Sequence, residues 1–600
     1  MRFLSNLVAS ALGTLVALGI FFFVGMLMFF IVVAASDQTP SVSDDSVLVL
    51  ELTGAIPEVV SGDPLRQVLA DEPSYDLRGL VSAIDKAAVD DRIDAIWMQV
   101  KDVATPWANL QEVRTALLRF KESGKPIIAS SNDHMMAETE YFLASTADSV
   151  FASEQAMFEF NGFFLSTMFF QGLLERLEVE PQIIRAGTYK AAVEPFIRQD
   201  LSPENEEQLT ALLETQNAVF MEAVAESRGT TPEALNQLVN QRALISAEEA
   251  HEAGLLDGLL YEDQVVEAIK KRLGYDMDDD LNTTTMRAYV RVPPSEAGLE
   301  VNDEGEIAIV YAEGAIVSGE SSPGDPLSGV TLGAETFLRA MEEARESDDV
   351  QAIVVRINSP GGSASASDAM WRAIRLTADE KPVIVSMGNL AASGGYWMAT
   401  GAETIIADPL TITGSIGVFA ILMDASGLFE SQLGITFDGV RTSPYADLFS
   451  GVRSLEAHEQ DLLQGWVNHT YGDFLERVAE SRSLDEARVD SIGQGRIWSG
   501  AHAVEIGLVD SLGTLKDAVA VAAGRAEIGE GPYRVRILPR PRSFIEELQR
   551  GLSARVGSAW SQWTRTPQEI ALLEQARTLK SLMQEAGTVQ ARLPFDISYR

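Results

Sequence analysis

Two patterns of apolar and polar residues alternate along most of the chain. Short runs rich in β-branched residues, such as AIVVRI at 352–357 and PVIVSM at 382–387, have the length of buried strands. Between them, amphipathic stretches such as AETFLRAMEEARES at 334–347 place apolar residues at helical spacing. An alternation of strands and helices is typical of α/β proteins with a mostly parallel sheet. The pattern therefore predicts an α/β fold.

The N-terminal pattern is different, because no charged residue occurs from Leu7 to Ser36. This apolar stretch exceeds the roughly 20 residues that cross a bilayer as a helix. It also exceeds the apolar core of about 7–15 residues in a cleaved signal peptide. Arg2 precedes the stretch and favours a cytoplasmic N-terminus. We predict a cytoplasmic tip and one transmembrane anchor in residues 1–45, with the bulk of the chain outside the cytoplasm.

The remainder of the chain contains the same blocks twice, in the same order. SVLVLELTGAI matches GEIAIVYAEGAI, GKPIIASS matches EKPVIVSM, and ISAEEAHEAGLLD matches WSGAHAVEIGLVD. Matches in a conserved order indicate a tandem duplication. We place the first repeat at 46–270, a connector at 271–305, the second repeat at 306–530 and a C-terminal extension at 531–600.

Composition and charge exclude several classes of function. The 46 basic and 88 acidic side chains give a net charge of −42, and a nucleic-acid partner would require a basic surface. There is no cysteine, so disulfides, cysteine-based metal sites and a cysteine nucleophile are excluded. The extension at 531–600 is basic and amphipathic. We expect it to contact a partner subunit or the anionic membrane surface, with packing on its own domain as the alternative.

Two strand-to-helix turns in the second repeat are candidates for a catalytic site. Gly361 and Gly362, in NSPGGS, can offer backbone N–H groups at a helix start to a developing oxyanion. Ser393, in NLAASGGYWMAT, stands among small residues after the next strand, where open α/β sheets bind ligands. A tight turn and glycine-mediated packing explain the same residues without catalysis.

A serine nucleophile needs a base, and the five histidines do not supply a convincing one. His134, His458 and His469 lie in no loop that mirrors the serine turn. His251 and His502 fall in amphipathic helical segments near the end of each repeat. The sequence therefore gives little support to a Ser-His-Asp triad.

The duplication indicates a lysine base instead. Lys190, in GTYKAAVEPF of the first repeat, corresponds to Ala446 in the second. Ser393 corresponds in turn to Ala137 or Glu138 in the first repeat. Each repeat has one chemical group and lacks the other, which is explained if Lys190 and Ser393 form one site between the repeats. A solvated helix lysine is the alternative.

A lysine acts as a base only when it is neutral. The ordinary lysine pKa is about 10.4, and a useful base needs a value nearer about 7–8. Burial between two packed repeats would lower the pKa of Lys190, whereas a facing carboxylate would raise it. Glu194 lies four residues further on, but Pro195 disfavours a helix that continues through both positions. We therefore expect Glu194 to point elsewhere.

These motifs resemble the long form of the signal peptide peptidase A family, membrane-anchored bacterial Ser/Lys proteases with ClpP/crotonase-like repeats. The matching stretches are GTYKAAVEPFIR, NSPGGS, NLAASGGY and TITGSIGV. The resemblance implies Ser393 as nucleophile, Lys190 as general base from the other repeat and Ser415 as the serine that orients the lysine. It implies Gly361 and Gly362 as oxyanion donors, tandem ClpP/crotonase-like domains, and no cofactor or metal.

The same resemblance implies a serine endopeptidase that degrades released signal peptides. It places a single-pass protein in the bacterial inner membrane, with the bulk of the chain on the periplasmic side, as a homotetramer. The phenylalanine-rich stretch MFEFNGFFLSTMFF offers either apolar subsites or ordinary core. Two alternatives are a crotonase-type acyl-CoA enzyme, whose paired N–H donors serve an enolate, and a non-catalytic scaffold in membrane protein quality control.

Overall fold

The computed structural model describes residues 40–60, 75–322, 329–529, 531–540 and 589–592, together with positions 13, 14, 19, 20 and 23. The membrane anchor predicted within residues 1–45 therefore falls mainly outside the described residues. Among the helices that the structure does describe, none combines the length and the apolar character needed to cross a bilayer.

The strands follow the β-branched runs of the sequence. In chain order they are β1 Ser46–Gly54, β2 Ile93–Val103, β3 Ile127–Ser131, β4 Met135–Met136, β5 Ser149–Ala152, β6 Met157–Glu159, β7 Glu180–Ala186, β8 Leu244–Ser246, β9 Gly258–Leu259, β10 Thr283–Thr285, β11 Asn302–Glu313, β12 Ala315–Val317, β13 Thr331–Gly333, β14 Val350–Ser359, β15 Gly361–Ser363, β16 Val383–Ala392, β17 Thr404–Ala407, β18 Ile412–Gly414, β19 Val418–Asp424, β20 Ile497–Ser499, β21 Ser511–Leu512, β22 Tyr533–Leu538 and β23 Gln590–Arg592.

The helices follow the amphipathic stretches. In chain order they are α1 Leu77–Val89, α2 Trp107–Glu122, α3 Glu138–Ala144, α4 Gln171–Leu177, α5 Glu194–Ile197, α6 Pro203–Arg228, α7 Pro232–Gln241, α8 Ala247–Glu252, α9 Glu262–Leu273, α10 Met286–Tyr289, α11 Ala334–Glu346, α12 Ala364–Ala378, α13 Gly394–Ala399, α14 Ala457–Arg482, α15 Glu486–Ile492, α16 Gly500–Glu505 and α17 Leu515–Arg525. Short 3₁₀ turns occur at Ala191–Val193 and Pro294–Ala297, and a π-helical turn at Leu428–Gln432.

The first repeat is built on a parallel sheet with the strand order β10-β1-β2-β3-β5-β9. Helices α1 and α2 cover one face in the main apolar core, and α9 covers the other with Val265 and Ile269. Because both faces are covered, the central strands are apolar at nearly every position rather than at every second one.

The second repeat has the same arrangement. Its strands β22-β11-β14-β16-β17-β21 are all parallel and correspond in order to those of the first sheet. Helices α11 and α12 pack on one face and α17 on the other. The predicted α/β fold and the duplication are confirmed, while the ClpP/crotonase-like type of each repeat remains a prediction.

The sheets extend beyond the repeat boundaries placed from the sequence. Strand β10, within the connector at 271–305, pairs with β1, and β22, within the extension at 531–600, pairs with β11. Each added strand covers an edge that would otherwise present unpaired backbone groups. These described parts of the connector and the extension therefore belong to the two domains. The expected contact of the extension with a partner or a membrane concerns residues that are largely outside the described part.

A further sheet crosses from one repeat to the other, in the order β13-β12-β15-β23-β19-β7. Strand β7 of the first repeat runs antiparallel to β19 of the second, with pairs from Glu180 and Asp424 to Ala186 and Val418. The chain leaves β7 four residues before Lys190. The cross-repeat ladder therefore delivers this lysine into the second repeat.

A buried ionic cluster also joins the repeats. Arg356 on β14 binds Glu58 at 2.9 Å and Glu112 on α2 at 2.7 Å, and all three side chains are buried. Burial raises the pKa of Glu112, while Arg356 opposes that rise. Removing one partner of such a cluster would leave an unpaired buried charge. The cluster therefore helps to fix the orientation of one repeat against the other.

Candidate active site

Ser393 stands at the junction between β16 and α13, at the carboxyl end of its strand as predicted. Its backbone has φ 55° and ψ −114°, a conformation that non-glycine residues rarely adopt. The N–H of Ser393 donates to the carbonyl of Gly414 at 2.8 Å, which helps to hold the turn. The small residues after it serve close packing, since a Cβ on Gly395 would come within 2.8 Å of the Ser359 carbonyl oxygen. The packing interpretation of the small neighbours is therefore confirmed, and their catalytic interpretation stays a prediction.

Lys190 reaches the second repeat through a tight turn after β7. Gly187 has φ 110°, and a Cβ there would stand 2.6 Å from the backbone of Gln494. The Tyr189 N–H donates to the Gln494 carbonyl at 2.7 Å. Gly495 then packs against the backbone of Lys190 itself. The lysine is thus held by the second repeat along its backbone as well as by its side chain.

The predicted pair meets. Lys190 Nζ lies 2.7 Å from Ser393 Oγ, 3.0 Å from Ser415 Oγ and 3.2 Å from the Ser415 carbonyl oxygen. A neutral amine has two N–H donors and one lone pair. When both donors bind the two Ser415 oxygens, the lone pair is left for the proton of Ser393. This arrangement is suited to removing a proton from the serine.

The electrostatics of Lys190 favour the neutral form. The side chain is fully buried, and this burial lowers the pKa of Lys190 well below its usual value. Glu194 points elsewhere, as expected, and its carboxylate accepts hydrogen bonds from Ser202 and from the Asn205 amide. A short helix begins at Glu194, and Pro195 lies in its first turn. Lys190 lies before this helix, so no continuous helix joins Lys190 and Glu194.

Ser415 lies in the turn between β18 and β19, with φ 51°. Its N–H donates to the Arg496 carbonyl at 2.7 Å. The turn is therefore anchored on the opposite side from the lysine, while the carbonyl and hydroxyl of Ser415 both face Lys190 Nζ.

The two glycines of the PGG turn lie beside the serine, but their N–H groups differ. The Gly361 N–H donates to Ser359 Oγ at 3.2 Å and is already engaged. Gly362 lies opposite Ala591 in the ladder between β15 and β23. The amide nitrogen of Gly394 is 2.6 Å from the position that a Cβ on Gly361 would occupy. Gly394, the residue after the serine, thus lies directly against Gly361, whereas Gly362 lies against the backbone of Ile316.

The first repeat shows which residue replaced the serine. Ala137 directly precedes α3, as Ser393 precedes α13, so Ala137 rather than Glu138 is the structural counterpart. Ala137 has ordinary extended angles, φ −94° and ψ 177°. Ala446, the counterpart assigned to Lys190, lies on an exposed segment. The strained turn thus occurs in the second repeat and the buried amine in the first, and neither feature is present at its counterpart.

Several residues that shape the site were not predicted from the sequence. Gln494 and Gly495 hold the backbone of Lys190, and the Gly417 carbonyl oxygen lies 3.5 Å from Ser393 Oγ. The closely spaced glycines in IGQGRIW were the available signal. Among the described contacts, the side-chain partners of Ser393 include no histidine. His502 bonds Ser499 instead.

The sequence has relatives among characterised families. The profile of Peptidase family S49 matches residues 119–276 and 375–529. Serine protease SPPA, chloroplastic, of Arabidopsis thaliana is 34% identical over 478 residues, covering 78% of this chain and 69% of the relative. Protease 4 of Salmonella typhi is 34% identical over 461 residues, covering 75% and 72%. A solved ClpP1 mutant of Listeria monocytogenes aligns at a TM-score of 0.23 with 15% identity, over 35% of this chain and 94% of that one.

Proposed function

The chain belongs to peptidase family S49 and is a serine protease, and on that premise we propose that it is a membrane-anchored endopeptidase that degrades released signal peptides. Ser393 is the nucleophile and Lys190 the general base. The observation that carries the assignment is the 2.7 Å separation of Lys190 Nζ and Ser393 Oγ in a buried site. An acyl-CoA enzyme and a non-catalytic scaffold are not compatible with a serine protease.

The reaction proceeds by acyl transfer. Ser393 Oγ attacks the scissile carbonyl carbon while its proton passes to Lys190 Nζ. The carbon–nitrogen bond then breaks, the lysine ammonium returns the proton to the leaving amine, and the acyl part of the peptide remains as an ester on Ser393. Water attacks the ester with Lys190 again as base, which releases a carboxylate and restores the hydroxyl.

Backbone N–H groups stabilise the oxyanion formed in each half of the reaction. We assign this role to Gly362 and Gly394 rather than to Gly361, because the Gly361 N–H already binds Ser359 Oγ. Ser415 orients the lysine without adding charge, since its hydroxyl and carbonyl accept the two N–H groups of the neutral amine. Because these partners are uncharged, they do not oppose the lowering of the Lys190 pKa by burial.

The substrate and the location rest on the uncharged N-terminal stretch and on the family. Released signal peptides are apolar and reside in the bilayer, where an enzyme anchored by residues 7–36 would meet them. The bulk of the chain then lies on the periplasmic side of the bacterial inner membrane. The phenylalanine-rich stretch can line apolar subsites with only some of its side chains. Phe158 and Phe160 are buried core residues, whereas Phe164 is 71% exposed.

The assembly is a homotetramer in this proposal. Apolar side chains exposed in a single chain support contact between subunits. They occur at Phe164, Met168, Leu173, Leu177, Leu433, Ile435, Phe437 and Phe449. Burial of this surface would anchor each protomer to its neighbours.

A labelling and digestion experiment tests the proposed function. The full chain in detergent is treated with a fluorophosphonate probe, and the modified peptide is identified by mass spectrometry. A synthetic signal peptide is digested in parallel. We expect labelling at Ser393 and internal cleavage, both absent in Ser393→Ala with an unchanged circular dichroism spectrum. Cleavage by the Ser393→Ala variant at the wild-type rate would refute the assignment.

A further inference from the structure

The turn of the second repeat that packs on Lys190 has an unusual backbone. Gln494 has φ 52° and Gly495 has φ 80°. A non-glycine residue rarely adopts such a φ, so a turn of this kind persists only where its surroundings hold it. The Gly495 N–H donates to the Ile416 carbonyl at 2.7 Å, which fixes the turn at this residue. Arg496 is the next residue along the chain, and it supplies a second attachment.

The guanidinium group of Arg496 contacts two aromatic rings. Its Cζ is 5.0 Å from the ring centre of Tyr189 and 4.4 Å from that of Trp498. A guanidinium is planar and stacks favourably on aromatic faces. Glu207 on α6 binds both Tyr189 and Arg496, since it accepts the Tyr189 hydroxyl at 2.8 Å and pairs with the guanidinium at 2.8 Å. We call these four side chains, two from each repeat, the aromatic clamp.

The aromatic clamp is bonded to the parts of the chain that place the lysine amine. Tyr189 directly precedes Lys190, and its N–H donates to the Gln494 carbonyl at 2.7 Å. The Arg496 carbonyl accepts the Ser415 N–H at 2.7 Å, and Ser415 Oγ lies 3.0 Å from Lys190 Nζ. Arg496 therefore contacts the residue before the lysine through its side chain, and the residue that binds the amine through its backbone.

The aromatic clamp lies nearer the surface than the lysine that it adjoins. Lys190 has no solvent exposure, whereas the side chains of Arg496 and Glu207 are 20% and 53% exposed. Burial lowers the pKa of Lys190 well below its usual value. The turn and the clamp that fastens it therefore affect the charge of the amine as well as its position.

We propose that Arg496 is a positioning residue of the active site, whose stacking in the aromatic clamp holds the turn at Gly495 against Lys190. The amine then stays within hydrogen-bond distance of Ser393 and out of contact with water. Arg496 acts through its neighbours, because among the described contacts its side chain reaches neither member of the dyad. This inference rests on the proposed function, since it takes Lys190 as the base.

Two variants of Tyr189 test the aromatic clamp without changing a charge. Tyr189→Leu removes the stacked ring, whereas Tyr189→Phe keeps it. In Tyr189→Leu we expect kcat for a synthetic signal peptide to fall at least about tenfold, with KM within about twofold, because a small displacement misaligns the lysine with Ser393. Tyr189→Phe should stay within about threefold of the wild type. Equal kcat values in the two variants would overturn the inference.

The pH–rate profile separates positioning from a loss of folded enzyme. Water that reaches Lys190 in Tyr189→Leu should move the acid limb to higher pH, because burial is what lowers the pKa of this lysine. A smaller fraction of folded enzyme would scale the profile without moving it. A lowered kcat with an unmoved acid limb therefore contradicts the inference. Trp498→Leu, which removes the other ring, takes the place of Tyr189→Leu if the circular dichroism spectrum shows that the latter is unfolded.

A double-mutant cycle shows whether Arg496 acts through Tyr189. Arg496→Gln should lower kcat at least about tenfold, and adding Tyr189→Leu should cost little more, because both changes undo the same clamp. Arg477→Gln is the matched control, since the Arg477 guanidinium lies 3.9 Å from the ring centre of Trp371 in a separate stack and its loss should leave kcat unchanged. Losses that multiply in the double variant would overturn the inference.

Lys190→Ala distinguishes a failure of this inference from a failure of the proposed function. If Lys190→Ala is inactive while Tyr189→Leu and Arg496→Gln keep the wild-type kcat, the aromatic clamp has no positioning role and the proposed function stands. Turnover by Lys190→Ala at the wild-type rate would refute the proposed base, and the role of Arg496 with it.

Discussion

Gly495 of the second repeat lies directly against the backbone of Lys190 of the first. A Cβ added to Gly495 would be 2.6 Å from both the amide nitrogen and the Cβ of the lysine. Gly495 lies outside the sequence motifs that contain Lys190 and Ser393, yet its contact with Lys190 fixes where the amine enters the second repeat. The position of the proposed base therefore depends on a residue that carries no chemistry of its own.

The first prediction follows from this contact. Gly495→Ala should lower kcat by about a hundredfold, because a shift of the lysine by about 1 Å is enough to misalign it with Ser393. Gly507→Ala is the matched control, since Gly507 has φ 84° against 80° for Gly495 and nothing near its added Cβ. Both changes introduce similar backbone strain of about 1–2 kcal/mol. Peptidase assays and thermal melting of both variants separate the effect of backbone strain from the effect of displacing Lys190. An equal loss of activity in the two variants would contradict the argument.

The second prediction concerns the charge of Lys190. Lys190→Arg should be as inactive as Lys190→Ala, with kcat lowered roughly 10²–10⁴-fold, because a guanidinium stays protonated. Lys190→His should keep at most a trace of activity. In the wild type, activity should rise with pH through a group whose pKa lies well below that of a free lysine, because burial lowers the pKa of Lys190.

The control for this series is Lys381→Arg. Lys381 lies before the start of β16, whereas Ser393 follows the end of this strand. Its Nζ donates to the carbonyls of Ala344 and Ser347, and an arginine can replace those bonds. We expect its pH–rate profile to match that of the wild type. Substantial turnover by Lys190→Arg would show that another residue is the base.

The third prediction separates orientation from proton transfer. Ser415→Ala removes one of the two acceptors of the lysine N–H groups and leaves the carbonyl at 3.2 Å. The loss of one hydrogen bond should lower kcat by about tenfold, with KM unchanged and the acid limb of the pH profile retained. Ser491→Ala, whose hydroxyl binds the Arg488 carbonyl at the surface, should behave as wild type. Complete loss of the acid limb in Ser415→Ala would instead make Ser415 part of the proton path.

The fourth prediction concerns the ionic cluster between the repeats. Arg356→Met leaves Glu58 and Glu112 buried without their partner and should destabilise the fold by about 3–5 kcal/mol. Arg339→Met, which breaks the exposed pair with Glu320, should change stability by at most about 1 kcal/mol. Urea unfolding of both variants measures the difference. Similar midpoints would mean that the cluster does not hold the repeats together.

The fifth prediction is a pH dependence of stability. Burial, with Glu58 nearby, raises the pKa of Glu313 to about 7. A carboxyl group whose pKa is raised in the folded state stabilises the fold fully below its unfolded value, about 4.5, and this contribution is lost as the pH rises through about 7. Glu313→Gln should therefore reduce the decline in unfolding free energy between pH 4.5 and 7 by up to about 3 kcal/mol. Parallel slopes for variant and wild type over this range would exclude Glu313 as the titrating group.

Much of the fold could be predicted from the sequence because the signals are local and occur twice. The β-branched run at 352–357 lies within β14, the run at 382–387 lies within β16 apart from Pro382, and the amphipathic stretch at 334–347 contains α11. The boundaries at 270 and 530 stay predictions, and the two sheets extend past both positions. The short strands β10 and β22 carry a weak local pattern and are specified by the open sheet edges on which they pair.

The sequence by itself predicted the chemistry of the site: Ser393 and Lys190 stand in different repeats, Lys190 corresponds to Ala446, and Ser393 corresponds to Ala137 or Glu138. Only the tertiary structure decided that Lys190 Nζ and Ser393 Oγ lie 2.7 Å apart, because the β7–β19 ladder and the turn at Gly495 join residues distant in sequence. It also decided that the Gly361 N–H donates to Ser359 Oγ and that β23 pairs with β15. Such long-range backbone contacts arise when packed elements bring distant segments together, and no local periodicity encodes them.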